Sequence, residues 1–160
     1  MKRKSGGTTS FSNRFYSIKR IEMLAQLIYV SDRNETCTEL DVGKILVSCK
    51  TNNAASGITG VLLYSDTKFI QMIEGEGDTV TELYNRIKKD SRHSNAMMIS
   101  FAPIDARSFP SFHMGARKIQ GSEVDFKTAI SAEEKVIFEN VLNGQEANGM
   151  KVMSLLKKFF

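Results

Sequence analysis

Eight residues from Lys68 to Gly75, Lys-Phe-Ile-Gln-Met-Ile-Glu-Gly, read as a strand that is apolar on both faces but for one position. The run Glu74-Gly75-Glu76-Gly77-Asp78 closes it with turn chemistry. By the two-residue period of a strand, Gln71 shares a face with Phe69 and Ile73. A primary amide on an apolar face needs hydrogen-bond partners or costs free energy. Either protein groups satisfy Gln71, or something bound there does.

The elements around this strand follow a recognisable order. Residues 23–31, Met-Leu-Ala-Gln-Leu-Ile-Tyr-Val-Ser, predict a first strand. Ala25, Leu27 and Tyr29 lie on one side of it, Leu24, Ile28 and Val30 on the other, which predicts a central strand covered on both faces. Asp32-Arg33-Asn34 reads as a turn. A helix is expected over Thr38 to Lys50, with Thr36 and Glu39 as its capping box and Val42, Ile45, Leu46 and Cys49 as its buried stripe. Thr51-Asn52-Asn53 is expected to stop it. Residues 57–65 predict a second strand, joined through Ser65-Asp66-Thr67 to the opening strand as an antiparallel hairpin. A second helix is expected over Asp78 to Lys89, capped by Asp78 or Thr79 with Glu82, and striped by Val80, Leu83, Tyr84 and Ile87. Asp90 to Asn95 reads as a polar loop, Ala96 to Ala102 as a fourth strand ended by Pro103, and Met114 to Ile119 as a short fifth strand. The order β-α-β-β-α-β plus one strand predicts an α+β, ferredoxin-like sheet with both helices on one face.

The open face, with Ile28, Ile70 and Met72, needs a cover. Past Gly121 the pattern turns helical again. Ser122 with Asp125 and Ser131 with Glu134 look like capped starts, and Asn143-Gly144 and Asn148-Gly149 separate two stripes. One stripe holds Ile137 and Val141; the other holds Val152, Leu155, Leu156 and Phe159. Sheet cover or self-association is their expected role, ahead of a membrane contact by the basic end at Lys157 and Lys158. The expected organisation is a basic, disordered leader or expression remnant over 1–22, a folded domain over 23–120, and a helical extension over 121–160.

Charge is unevenly spread. Of the 22 basic residues, Lys2, Arg3, Lys4, Arg14, Lys19 and Arg20 all precede the first acid, Glu22, so the rest of the chain is slightly acidic. That argues against a nucleic-acid-binding body. No apolar run is long enough to span a membrane, no signal-type h-region follows the basic start, and the expected location is cytoplasmic. Cys37 and Cys49 do not form a disulfide framework or a metal motif, and Cys49 reads as helix core. Two histidines, His93 and His113, give poor support for zinc. No P-loop, Rossmann or G-x-S-x-G pattern occurs.

The remaining candidates converge. With the first and third strands adjacent, Tyr29 and Gln71 can meet beneath the helices as a phenol–amide pair. Asn52 and Asn53 follow the first helix, and Arg92 and His93 follow the second, so these polar groups cluster at one end of the helix pair. A cleft with amides and a cation at its mouth suits a flat apolar molecule carrying a phosphate.

Together these residues resemble the BLUF family of blue-light sensors that use flavin. The matching pieces are Leu27-Ile28-Tyr29-Val30-Ser31, Asn52-Asn53 with Gly57-Ile58-Thr59-Gly60, Phe69 to Gly75, Asp90-Ser91-Arg92-His93-Ser94, and Arg107-Ser108-Phe109 leading to Phe112-His113-Met114-Gly115. The resemblance implies a non-covalent flavin, FAD or FMN, between the helices. Ile45 and Ile87 would flank its ring, and Asn53 would bond the ring's carbonyl edge. Asn52, Asp90, Arg92 and His93 would line the ring edge, ribityl or phosphate end. Tyr29 and Gln71 would be the photoactive pair, with Met114 and Phe112 passing the change on. The family often carries Trp two residues before the methionine. Phe112 stands there instead, and the chain has no Trp.

The implied function is a light sensor without an enzymatic output domain, acting on a protein partner or on its own oligomer through the C-terminal helices or the sheet face. Two other readings stand beside it: a flavin-dependent oxidoreductase, and a ferredoxin-like binding module that has lost flavin.

Overall fold

A computed structural model describes residues 22–119 and 130–160. The expected leader over 1–22, except Glu22 itself, and the expected helix start at Ser122 and Asp125 lie outside the described residues. The elements are β1 (Leu24–Arg33), α1 (Glu39–Ser56), β2 (Thr59–Tyr64), β3 (Lys68–Glu76), α2 (Gly77–Lys89), β4 (His93–Pro103), β5 (Gly115–Lys118), α3 (Ala132–Leu142) and α4 (Gly149–Leu156). The strands lie in the order β4-β1-β3-β2-β5. All neighbours are antiparallel except β2 and β5, which run parallel. This is the expected ferredoxin-like sheet with its extra strand.

Two cores separate across the sheet, as the doubly apolar strands require. Leu27, Tyr29, Phe69 and Ile73 pack under Val42 and Ile45 of α1 and Val80 and Tyr84 of α2. Ile28, Val30, Ile70 and Met72 pack against Phe138 and Val141 of α3 and Val152, Leu155, Leu156 and Phe159. The C-terminal helices therefore cover the face that the first two leave open. Each fully buried apolar side chain there contributes about 1.5–3 kcal/mol. Both helices start as their sequences dictate: Ser131 and Glu134 form a reciprocal capping box, and Asn148 caps α4.

Local boundaries differ from the expectations for physical reasons. Strand β1 does not turn at Asp32; Asp32 pairs with Lys68 of β3, and Arg33 with His93 of β4. The buried Arg33 guanidinium donates to the Cys37 carbonyl at 2.9 and 3.1 Å and to the Ser65 carbonyl at 3.0 Å. Sheet pairing and a clamped cation override turn-like composition. The box of α1 uses Thr38 and Asp41, while Thr36 turns back onto Asn34. Helix α1 also runs past Lys50 to Ser56 and ends at Gly57 in the left-handed conformation (φ 67°). Its polar tail survives because Thr51 Oγ1 donates to the Val47 carbonyl and Asn52 Nδ2 donates to Ser48 Oγ. Helix α2 is capped by Glu76, whose carboxylate accepts from the Thr79 amide at 3.0 Å, and not by Asp78 or Thr79. Strand β4 begins at His93, so the polar loop is shorter than expected.

Two glycines show opposite constraints. A Cβ at Gly60 would sit 2.1 Å from the Met72 carbonyl oxygen, whereas one at Gly43, in the exposed middle of α1, meets nothing within 4 Å. Gly60→Ala is expected to cost about 2–3 kcal/mol of unfolding free energy, and Gly43→Ala to add about 0.5–1 kcal/mol. Denaturant titrations of the two variants check both signs.

Candidate functional site

Antiparallel pairing of β1 and β3 sets Tyr29 directly opposite Gln71 on the helix-facing side. Tyr29 is fully buried and Gln71 is 4 % exposed. The Tyr29 hydroxyl donates to Gln71 Oε1 at 2.5 Å. Burial, with smaller contributions from Cys49, Tyr84 and Asp90, pushes the phenol well above its ordinary pKa, so Tyr29 holds its proton. The Gln71 amide nitrogen points to Met114 Sδ at 3.4 Å. A thioether is a weak acceptor, so one of the strongest groups in the core is underused.

Met114 reaches Gln71 because the chain after β4 is fixed to the sheet. The buried carboxylate of Glu74 accepts from the backbone amides of Ser108 and Phe109 at 2.9–3.1 Å and from Gln26 Nε2 at 2.9 Å. Arg107 donates to Thr59 Oγ1, the Glu74 carbonyl and the Gly57 carbonyl. Gly60 N donates to the Phe112 carbonyl, and Asn53 Nδ2 to the His113 carbonyl at 2.7 Å. The loop thus arrives with Met114 buried and Phe112 half-exposed, stacked on Phe109 at 5.9 Å and against Phe160 at 6.4 Å.

Above Gln71 a cleft of about 770 Å³, measured out to open solvent, lies between α1 and α2. It brings together Ile45, Asn52, Asn53, Gln71, Ile87, Asp90, Arg92 and His93. Every cofactor-contact expectation except Tyr29 is on its wall; Tyr29 lies behind Gln71. Met114 touches Gln71, and Phe112 stands apart with Phe160. The wall also includes residues that the sequence did not point to as cofactor contacts: Ser48, Leu62, Leu83 and Arg86. Leu62 pairs with Gln71 across the β2–β3 hairpin, so the hairpin register was a usable signal for it. Leu83 was on the apolar stripe of α2. Nothing in the sequence distinguishes Ser48 or Arg86 from a solvated helix residue. Cys49, expected in the core, lines the same cleft, and burial raises its pKa, which keeps it a thiol.

The cleft has a polar end. Asp90 accepts from Arg92 Nε at 2.9 Å and Nη2 at 2.5 Å. These bonds hold the Asp90 carboxyl below its usual range and the guanidinium above its own. His93 Nδ1 is 2.9 Å from Ser31 Oγ, and its ring lies 4.6 Å from that of Phe69 and 6.3 Å from that of Tyr29. Burial lowers its pKa to about 4, against a smaller upward pull from Asp90. A flavin fits this donor set: apolar walls from Ile45, Leu62, Leu83 and Ile87, an underused amide at the floor, and charged side chains at the mouth. Among the described residues no group of three or more His, Cys, Asp or Glu could hold a metal, and no helix is long and apolar enough to cross a membrane.

Comparison with known proteins gives the same assignment. Residues 24–115 match the family model for BLUF, "Sensors of blue-light using FAD". The photoactivated adenylate cyclase subunit beta of Euglena longa is 36 % identical over 87 residues, which are 54 % of this chain and 10 % of that protein. The chain therefore spans about a tenth of the length of the curated relatives it matches. Among solved structures, BlsA in its photo-activated state is 30 % identical with a TM-score of 0.64, covering 86 % of this chain and 94 % of BlsA. The dark-state structure of BlrB, a BLUF protein, is 26 % identical with a TM-score of 0.67, covering 86 % and 95 %. The chain belongs to the BLUF family of blue-light sensors, whose members bind flavin non-covalently.

Proposed function

We propose that this chain senses blue light through Tyr29 and Gln71, with FAD or FMN held between Ile45 and Ile87, and passes on a change of hydrogen bonding without turning over a substrate. The observation that carries this reading is the 2.5 Å Tyr29–Gln71 bond whose far end, Gln71 Nε2, is 3.4 Å from a weak acceptor, the Met114 thioether. When bound and excited, a flavin supplies a strong oxidant beside that amide. Tyr29 is the electron donor within reach. Its hydroxyl proton has a direct route to Gln71 Oε1. Gln71 is both donor and acceptor, so it can relay the proton and return in a turned or tautomeric form. Tyr29 would end with its electron and its proton restored, and the net change would be the orientation or the tautomer of the Gln71 amide. The changed amide would aim a donor into the cleft, where a bound flavin would then absorb further to the red. Asn52, Asn53, Asp90, Arg92 and His93 bind and orient the cofactor.

The output follows from what Gln71 releases. Met114 exchanges its amide contact, and the loop that Glu74 and Arg107 hold to the sheet carries that change to Phe112, Phe160 and β5. A local rearrangement that biases a two-state element is the general form of such a switch. The receiver is a protein partner or another copy of the chain. The relatives from Euglena are cyclases by name; catalysis of that kind is not assigned to this chain.

The reading is tested on Tyr29→Phe and Gln71→Leu. Both variants are expected to retain flavin and to lose the light-induced red shift, recorded as a dark-minus-light absorption spectrum. A normal red shift in either would refute the pair. Steady consumption of a reductant in wild type would favour the oxidoreductase reading, and a protein that takes up no flavin would favour the bare binding module.

The buried His93 ring adds a pH dependence. Its folded pKa, about 4, lies below that of the unfolded chain, so the folded state resists the proton. Its contribution to stability is full above about pH 6.5 and is lost progressively as pH falls toward about 4. Between about pH 7.5 and about pH 5, wild type is expected to lose about 2 kcal/mol more unfolding free energy than His93→Gln. Denaturant unfolding of both proteins at the two pH values checks the sign.

A further inference from the structure

The apolar stripes of the C-terminal helices are buried within the chain, against the sheet. A further run of exposed apolar residues lies at the edge of the sheet. Strand β4 is an edge strand; among the described residues nothing pairs with its outer side. From Ser94 to Ile104 it carries no charge. Met97, Met98 and Phe101 are 43, 44 and 42 % exposed along it. Edge strands are ordinarily protected by lysines, prolines or bulges. Here the register slips between Ile28 and Tyr29 and between Val30 and Asp32, so bulges interrupt regular pairing; the charge at the second slip, Asp32, belongs to β1 and is paired with Lys68, and β4 itself supplies none from Ser94 on.

Helix α2 flanks this edge. Leu83, Arg86 and Ile87 line the cleft and so mark its α1 side. At 100° per residue, Asp78, Thr81, Asn85 and Lys88 fall on the opposite side, toward the edge. All four are exposed. The row begins with an acid in the first turn and ends with a base in the last. Its middle is level with the middle of β4, because Tyr84 packs on Tyr29 at 5.3 Å and Tyr29 pairs with Met98.

We propose that the outer edge of β4, with this row of α2, is the contact of a twofold homodimer, and that its occupant is a second copy of this chain. A twofold axis near Met98 sets the two β4 strands antiparallel. Met98 and Phe101 then pack against their symmetry mates. The same axis places Asp78 of each copy opposite Lys88 of the other, and Thr81 opposite Asn85. An uncharged strand meets itself without like-charge repulsion, and the flanking row is complementary to itself only when reversed. The contact leaves the cleft between α1 and α2 open.

The test is sedimentation velocity on the full chain across micromolar to submillimolar concentration, with far-UV circular dichroism and flavin absorbance as checks of folding. Wild type is expected to dimerise, and Met98→Lys with Phe101→Lys to be monomeric with an unchanged fold. Lys88→Glu and Asp78→Lys should each weaken the dimer about tenfold, since each change acts twice across the axis. The two together should restore it, a rescue that remains informative if the lysine pair fails to fold. A wild type that stays monomeric, a dimer indifferent to the β4 lysines, or a charge exchange that fails to restore association would each overturn the assignment.

Discussion

Everything at the site depends on the register between β1 and β3. Leu27 opposite Ile73, Tyr29 opposite Gln71 and Ser31 opposite Phe69 put one polar pair in the middle of an apolar face. A slip of one residue would send every side chain of one strand to the other side of the sheet. Tyr29 would then lie under the C-terminal helices, and Ile28 or Val30 would face Gln71. Apolar residues on both faces do not fix the register, since either face can be buried. What fixes it is polar: an unpaired buried amide or phenol costs about 1–3 kcal/mol, and only this alignment pairs the two. The Tyr29–Gln71 bond is therefore also part of what specifies the fold.

That dependence explains how much was legible in the sequence. The periodicities of Val42, Ile45, Val80 and Tyr84 and the doubly apolar strands gave the order of elements and the two cores, because burial follows them directly. The gathering of Asn53, Arg92 and His93 was legible from topology alone. The misses came where one polar residue serves a distant backbone group. Glu74 read as turn chemistry and is a buried anchor for the loop at Ser108 and Phe109. Arg33 read as a turn residue and is a buried clamp on Cys37 and Ser65. Asn52 and Asn53 read as a helix stop, yet the helix runs on to the glycine that can adopt a left-handed conformation. Composition reports that such residues are polar; it does not report which carbonyls and amides, tens of residues away, they satisfy.

These same anchors decide what can move. Glu74, Arg107 and the Gly60 amide fix the loop at Ser108, Phe109 and Phe112 to β2 and β3. Met114 is joined to the site by one weak contact from Gln71. A change at Gln71 thus acts on a buried side chain whose backbone neighbours, His113 and Gly115, are themselves tied to Asn53 and to β2. The energy scale is suitable: leaving or satisfying a buried amide is worth about 1–3 kcal/mol, enough to shift a two-state equilibrium by about 5- to 150-fold.

Phe112 sets how such a shift can leave the site. An indole at this position would offer an N–H that could compete for the Gln71 amide; a phenyl ring has no donor and cannot join the hydrogen-bond network. Its contacts are with Phe109 and Phe160 instead, outside the cleft and against the end of the C-terminal segment. Under the function proposed above, coupling from the site to that segment would then pass as packing, through the backbone joining Met114 to Phe112, and not as a relayed proton. Packed aromatic contacts have few alternative arrangements, because a ring displaced from a close-packed site loses its dispersion contacts. With Phe in place of Trp the two tasks would be separate: under the function proposed above, Gln71 and Tyr29 would keep the hydrogen-bond chemistry to themselves, and the contacts among Phe109, Phe112 and Phe160 would carry its outcome as packing toward the segment after α4.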